Sequence, residues 1–257
     1  MKQSLIKFFA VLLFSAICLN AASQAKIYTR KERLAHFNTS TTKIIIGGGS
    51  FMDTVFKEEV NTNWRISPYE YCTQEEYLRD KNSSDFYFLS LTRSEGIVFL
   101  TLTKGGKENE TDDLKKPFEV VSMPVASYDD PTGQELVYLG AYLDIIQRFV
   151  EDSMQSDKIG YTGLKYYNAK SYKGKRIILN PEEVSTCYAD RTPDTLLGIS
   201  ISPGNVSFKT YSYKMLISAD THELMYFNKT KYTGPKDAGF SEKEIKSIDS
   251  RYGIIFR

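Results

Sequence analysis

Residues Thr41–Tyr71 read TTKIIIGGGSFMDTVFKEEVNTNWRISPYEY, and this stretch decides the fold. Lys43-Ile44-Ile45-Ile46 is a short β-branched run, the pattern of a strand buried on both faces. Gly47-Gly48-Gly49 permits a sharp reversal. Ser50 suits an N-cap, with Asp53 three residues on in a weak form of the capping box. Met52, Val55, Phe56, Val60 and Trp64 recur at helical spacing, so one face of this helix docks on a sheet. Ile66 to Tyr71 returns as the next strand, which makes the unit a βαβ opening.

Downstream, Thr73 caps a short helix through Asp80, with Glu75 and Glu76 in its first turn. Asp85–Thr92 and Gly96–Thr103 are two strong strands, close enough in sequence to form an antiparallel hairpin. Lys104–Lys116 is a glycine- and charge-rich loop, and Phe118–Val125 is a strand broken by Pro124. The longest helix spans about Gln134–Met154. Its stripe of Leu136, Leu139, Gly140, Leu143, Ile146, Gln147 and Val150 is expected to cross a sheet face. Asp157–Lys175 reads as a loop, Arg176–Leu179 as a short strand, and Pro181-Glu182-Glu183 as a first helical turn capped by Asn180. Pro193–Ile201 fits a helix or an extended segment equally. Val206–Ser218 and Glu223–Lys231 form a second hairpin, and Ser241 to Glu244 opens a last helix with a capping-box pattern. The order predicts an α/β fold bordering on α+β: a mixed, largely antiparallel sheet with helices packed on it. No internal repeat or linker appears, so residues 26–257 are expected to form one domain.

Upstream, Lys2 and Lys7 supply a basic region, Phe8–Leu19 an apolar one, and Ser23-Gln24-Ala25 a small-x-small cleavage site. Residues 1–25 therefore read as a cleavable signal peptide, too short for a spanning helix. The protein is expected to be exported, to the periplasm or beyond, with no transmembrane segment in the mature chain. Losing Lys2 and Lys7 takes the formal net charge from +1 to −1, which gives no electrostatic case for nucleic acid. The composition is unusual in its 18 Tyr and 15 Phe, residues suited to strands and to part-buried surfaces.

Three further segments, Lys57-Glu58-Glu59-Val60, Trp64-Arg65-Ile66-Ser67-Pro68-Tyr69-Glu70 and Phe86–Thr92, resemble a group of uncharacterised secreted proteins of Bacteroidetes-type bacteria. The resemblance covers about the first half of the chain. It implies an envelope or extracellular location and carries no activity and no site residue.

The residues themselves offer no catalytic constellation, no metal-ligand spacing and no cofactor signature. The Gly47–Ser50 turn lacks the third spaced glycine of a dinucleotide fingerprint and the Gly-Lys-Ser/Thr of a P-loop, so it reads first as a capped turn. A small anion or a nucleotide on its backbone N–H groups is the functional alternative. His36 and His222 have no metal spacing, and no signature surrounds a Cys187–His222 thiol pair. Cys72 and Cys187 form either a disulfide or two separate buried thiols. Tyr161, Tyr166, Tyr167, Lys170 and Tyr172 lie in a stretch that interleaves aromatic and basic side chains. They are the candidate contact surface for another envelope protein or an anionic glycan, or else a tyrosine-rich loop packed over the sheet. The sequence thus points to a binding or assembly component of the envelope. The alternative is a hydrolase acting on envelope or other polymers.

Overall fold

The computed structural model describes residues 30–47, 51–106, 118–131, 133–207, 209–250 and 254–256. Residues 1–25, read as a signal peptide, Gly48–Ser50 of the glycine turn and most of the Lys104–Lys116 loop lie outside the described residues. The chain begins with α1 (Arg30–Leu34), β1 (Thr41–Ile45), α2 (Phe51–Asn63), β2 (Tyr69–Cys72) and α3 (Gln74–Asp80). It continues with β3 (Phe86–Ser94), β4 (Ile97–Lys104), β5 (Phe118–Ser127), α4 (Leu139–Gln155) and α5 (Asp157–Thr162). The remainder is β6 (Arg176–Ile178), α6 (Pro181–Ala189), β7 (Thr195–Ile201), β8 (Tyr211–Ser218), β9 (Leu224–Lys231), α7 (Glu242–Asp249) and β10 (Ile254–Phe256).

The fold is mixed α/β, and the strands divide between two sheets. One has the order β2-β1-β3-β4-β5, the other β10-β6-β7-β8-β9. β1 lies between β2 and β3 and runs parallel to both, as its β-branched run requires. The opening βαβ unit is therefore present. In each sheet three parallel strands are followed by two antiparallel ones, and the antiparallel registers are the longer. The two sheets share this pattern although the sequence shows no repeat. They reach it by different routes, because β2 follows β1 directly whereas β10 comes last in the chain.

Local signals account for most element ends. Thr73 and Glu76 form a reciprocal capping box on α3, Ser241 and Glu244 another on α7, and Asn180 caps α6 through the amides of Glu182 and Glu183. The β3–β4 hairpin turns through Glu95 and Gly96, both left-handed at φ 52° and 80°, the conformation that matches strand twist. Pro124 does not break β5, which runs on to Ser127. An edge strand is paired on one side only and tolerates a residue without an N–H.

Helix α4 departs from the expected one-sided stripe. Leu136 of the expected stripe is half-buried on a 3-10 helix, Gln134–Tyr138, that precedes α4. Within α4, Ala141, Tyr142, Ile145 and Phe149 are buried as well as the rest of the stripe, so this helix is surrounded. It lies in a core shared by both sheets, where Phe99 of β4 meets Tyr213 of β8 edge-on at 5.4 Å. The second sheet is buried on both faces. Ile178, Leu197 and Ile217 join the main core, while their neighbours Ile177, Leu196 and Leu216 join a smaller cluster with Ile248 of α7. Residues 193–201, undecided from sequence, supply β7, an interior strand of that sheet.

Candidate functional site

The Asp157–Lys175 stretch is not a loop. It folds as α5 and a 3-10 segment over Gly163–Ala169. Leu164 and Tyr167, three residues apart, share its buried face. The Tyr167 hydroxyl donates to Asp152 at 2.7 Å, and the fully buried Tyr172 donates to the Met225 carbonyl at 3.2 Å. Lys170 is held by Glu223, and the half-buried Tyr166 packs edge-on against Tyr167 at 5.8 Å. Tyr167 and Tyr172 are therefore packing residues, and Tyr166 and Lys170 are half-buried beside them. Tyr161 is the exception, 64% exposed.

Tyr161 stands on the rim of a groove of about 760 Å³ that the sequence did not reveal. The groove runs between β5 and β9, the antiparallel edges of the two sheets. Arg30, Lys165 and Lys229 bring three cations to it, and none has an ion pair among the described residues. The Arg30 guanidinium lies 5.5 Å from the Tyr161 ring and 5.1 Å from Phe118, and Lys229 Nζ lies 4.0 Å from the Tyr211 ring. Glu119 is the one carboxylate in the lining. An aromatic surface carrying unpaired cations is suited to a ligand with flat apolar faces and negative charges.

A second cavity, of about 740 Å³, opens at the carboxyl ends of β1 and β3. Gly47 lines it, and the Asp53 carboxylate accepts the Gly47 N–H at 3.2 Å, so Asp53 reaches back to the turn. Opposite, Arg93 stacks on Tyr128 at 4.3 Å and donates to its hydroxyl at 3.0 Å.

The third polar cluster lies where the β8–β9 turn meets α2, α4 and α6, with His222 buried and Asp144 half-buried. His222, left-handed at φ 56° and 5% exposed, meets Asp144 Oδ2 through Nδ1 at 2.8 Å. Tyr188, not Cys187, stacks on the imidazole, with ring centres 5.4 Å apart. Nearby Glu59 has its carboxyl pushed up by burial, partly offset by the Asn63 amide. α2 and α4 approach closely here: a Cβ on Gly140 would lie 2.6 Å from Glu59 Oε2, so the Glu59 side chain would have to shift. The pair has the parts of an acid–base dyad, with Asp144 fixing the imidazole. Among the described residues no three His, Cys, Asp or Glu side chains converge as a metal site would require.

Cys72 and Cys187 are both free thiols in the structure, Cys72 buried and Cys187 half-buried. Cys72 ends β2 in the interior, and burial pushes its pKa up to about 11. Alkylation of the native protein at pH 8, read by peptide mapping, is expected at Cys187 first, with Cys72 reacting only on unfolding. A gain of two hydrogens in intact mass on reduction would contradict the free thiols.

Fold and clefts together define a mixed α/β protein whose described strands form two sheets, with one cavity at the carboxyl ends of β1 and β3 and another between β5 and β9. No protein-family model matches the chain, and neither a curated protein nor a solved structure matches it. Among the described residues no helix is long and apolar enough to cross a membrane.

Proposed function

We propose that the protein is an exported binding component of the bacterial cell envelope, and that the groove between β5 and β9 holds an anionic glycan. The observation that carries this is the meeting, between two sheet edges, of three cations without ion pairs among the described residues with the exposed Tyr161 and half-buried Tyr211 rings. Carboxylates or sulfates of a polysaccharide would take charge-assisted bonds from Arg30, Lys165 and Lys229. The C–H faces of its sugar rings would lie on Tyr161 and Tyr211, which offer large contact at little entropy cost. The signal-peptide reading of residues 1–25 and the resemblance to secreted Bacteroidetes-type proteins support the location. A hydrolase is the second reading, and the His222–Asp144 pair is the observation that favours it.

One experiment addresses both. Hyaluronate, polygalacturonate and heparin are offered to the protein, with methyl-esterified counterparts of the two uronates. Binding is expected to weaken steeply with salt and to fall at least tenfold for the esters and for Tyr161→Ala/Lys229→Met. Equal binding by ester and acid, or by variant and wild type, would remove the glycan reading. Release of reducing ends that disappears in His222→Ala would favour the hydrolase.

A further inference from the structure

We infer that the cavity at the carboxyl ends of β1 and β3 is a separate ligand site, built for a small organic acid with an apolar body. The argument starts from topology. β1 leads through α2 to β2 on one side, whereas β3, on the other side of β1, leads outward to β4. The connections leaving the two strands diverge, and a crevice opens where they part. In open α/β sheets this is the place where ligands bind. Its volume of about 740 Å³ lies within the range of small-molecule sites.

The lining fixes the chemistry. Met52 and Phe56 of α2 and Leu91 and Val98 of the β3–β4 hairpin give it apolar walls. Arg93 is the one arginine or lysine in the lining, and it has no ion pair among the described residues. Its contact with the Tyr128 hydroxyl occupies one donor of five, and stacking on the Tyr128 ring orients the fork that remains. A guanidinium held in this way matches a carboxylate through two parallel bonds, with less conformational freedom to lose than a free side chain.

Charge sets the upper limit. The Asp53 carboxylate lines the same cavity, so one cation faces one anion. A single carboxylate pairs with the guanidinium and leaves only Asp53 to oppose it, whereas the several negative charges of a nucleotide would meet that same one cation and one anion. The nucleotide reading of the glycine turn is thereby disfavoured, although Gly47 lines the site.

The test uses octanoate and 4-phenylbutyrate as probes, with octan-1-ol and 4-phenylbutan-1-ol as uncharged partners. Binding is followed by thermal shift and by broadening of ligand NMR signals. Saturable binding of at least one acid is expected, at least tenfold tighter than its alcohol. Arg93→Met should abolish the difference, and Tyr128→Phe should weaken acid binding while leaving the melting temperature near wild type. Arg93 is exposed, so its variant is expected to fold, and its unliganded melting curve verifies this. Failure of both acids to bind, equal binding of acid and alcohol, or unchanged acid binding by Arg93→Met would overturn the inference. The groove variant Tyr161→Ala/Lys229→Met should bind the acids as wild type does, so this site and the glycan groove stand or fall separately.

Discussion

Replacing Gln147 with leucine is expected to lower the free energy of unfolding by about 3 kcal/mol, mostly through backbone groups left without partners. Gln147 is 8% exposed on α4, and its amide closes the end of α2. Its Oε1 accepts from the amides of Arg65 at 2.7 Å and Ile66 at 3.1 Å. Its Nε2 donates to the Asn63 carbonyl at 2.9 Å. A helix leaves its last four carbonyls without internal partners, and the turn after it has amides to satisfy. Here one side chain from another helix serves both. Leucine keeps the volume and the apolar contacts and removes only the hydrogen bonds. Each unsatisfied buried group costs about 1–3 kcal/mol, reduced where water can reach it. Urea unfolding at pH 7 measures the change, and a loss below about 1 kcal/mol would show that water replaces the amide.

Gln147 also marks the boundary of what the sequence conveys. Helical periodicity places it on a buried face of α4, but periodicity reports a face and not a partner. Its contacts at the end of α2 lie 81 to 84 positions away in sequence. Signals that act within a few residues were legible: the Thr73 cap, the box at Ser241–Glu244, the Asn180 cap and both hairpins. The division into two sheets was not, because a short strand such as β6 carries no mark of its neighbour. Tyr167 and Tyr172 were misread for a related reason. A tyrosine in a polar stretch suits an interface until its hydroxyl is seen to reach Asp152 or the Met225 carbonyl across the core. The groove combines Tyr161 and Lys165, inside the stretch that drew attention, with Arg30, Tyr211 and Lys229 from elsewhere. The His222–Asp144 pair spans 78 positions and had no local signature at all.

Glu244→Gln is expected to cost about 3–5 kcal/mol at pH 7, because it leaves a buried ammonium without its counter-charge. Lys214, 2% exposed on β8, places Nζ 3.1 Å from Glu244 Oε2 and 3.3 Å from Thr230 Oγ1. Glu244 also accepts the amide and hydroxyl of Ser241 at 2.9 and 2.7 Å and the Asn228 amide at 2.7 Å. It thus caps α7, the helix whose Ile248 covers the outer cluster of the second sheet, and neutralises the strand beneath it. Burial pushes the Glu244 carboxyl up, but the bonds from Ser241, Asn228 and Lys214 outweigh it, and the net displacement is below the ordinary value of 4.5. A carboxyl with a lower pKa folded than unfolded contributes stability that is complete well above 4.5. That contribution is lost as pH falls through the folded value, because the unfolded chain binds the proton first. Wild-type protein should therefore lose stability on acidification below about pH 5, and Glu244→Gln should lack this part of the loss. Lys214→Met in the same chain should recover much of the stability at pH 7, since an apolar side chain needs no counter-charge in that interior. If the double variant is instead as unstable as the two single losses added together, the pair is not coupled through charge. The stability of α7 would then rest on the Ser241 cap alone.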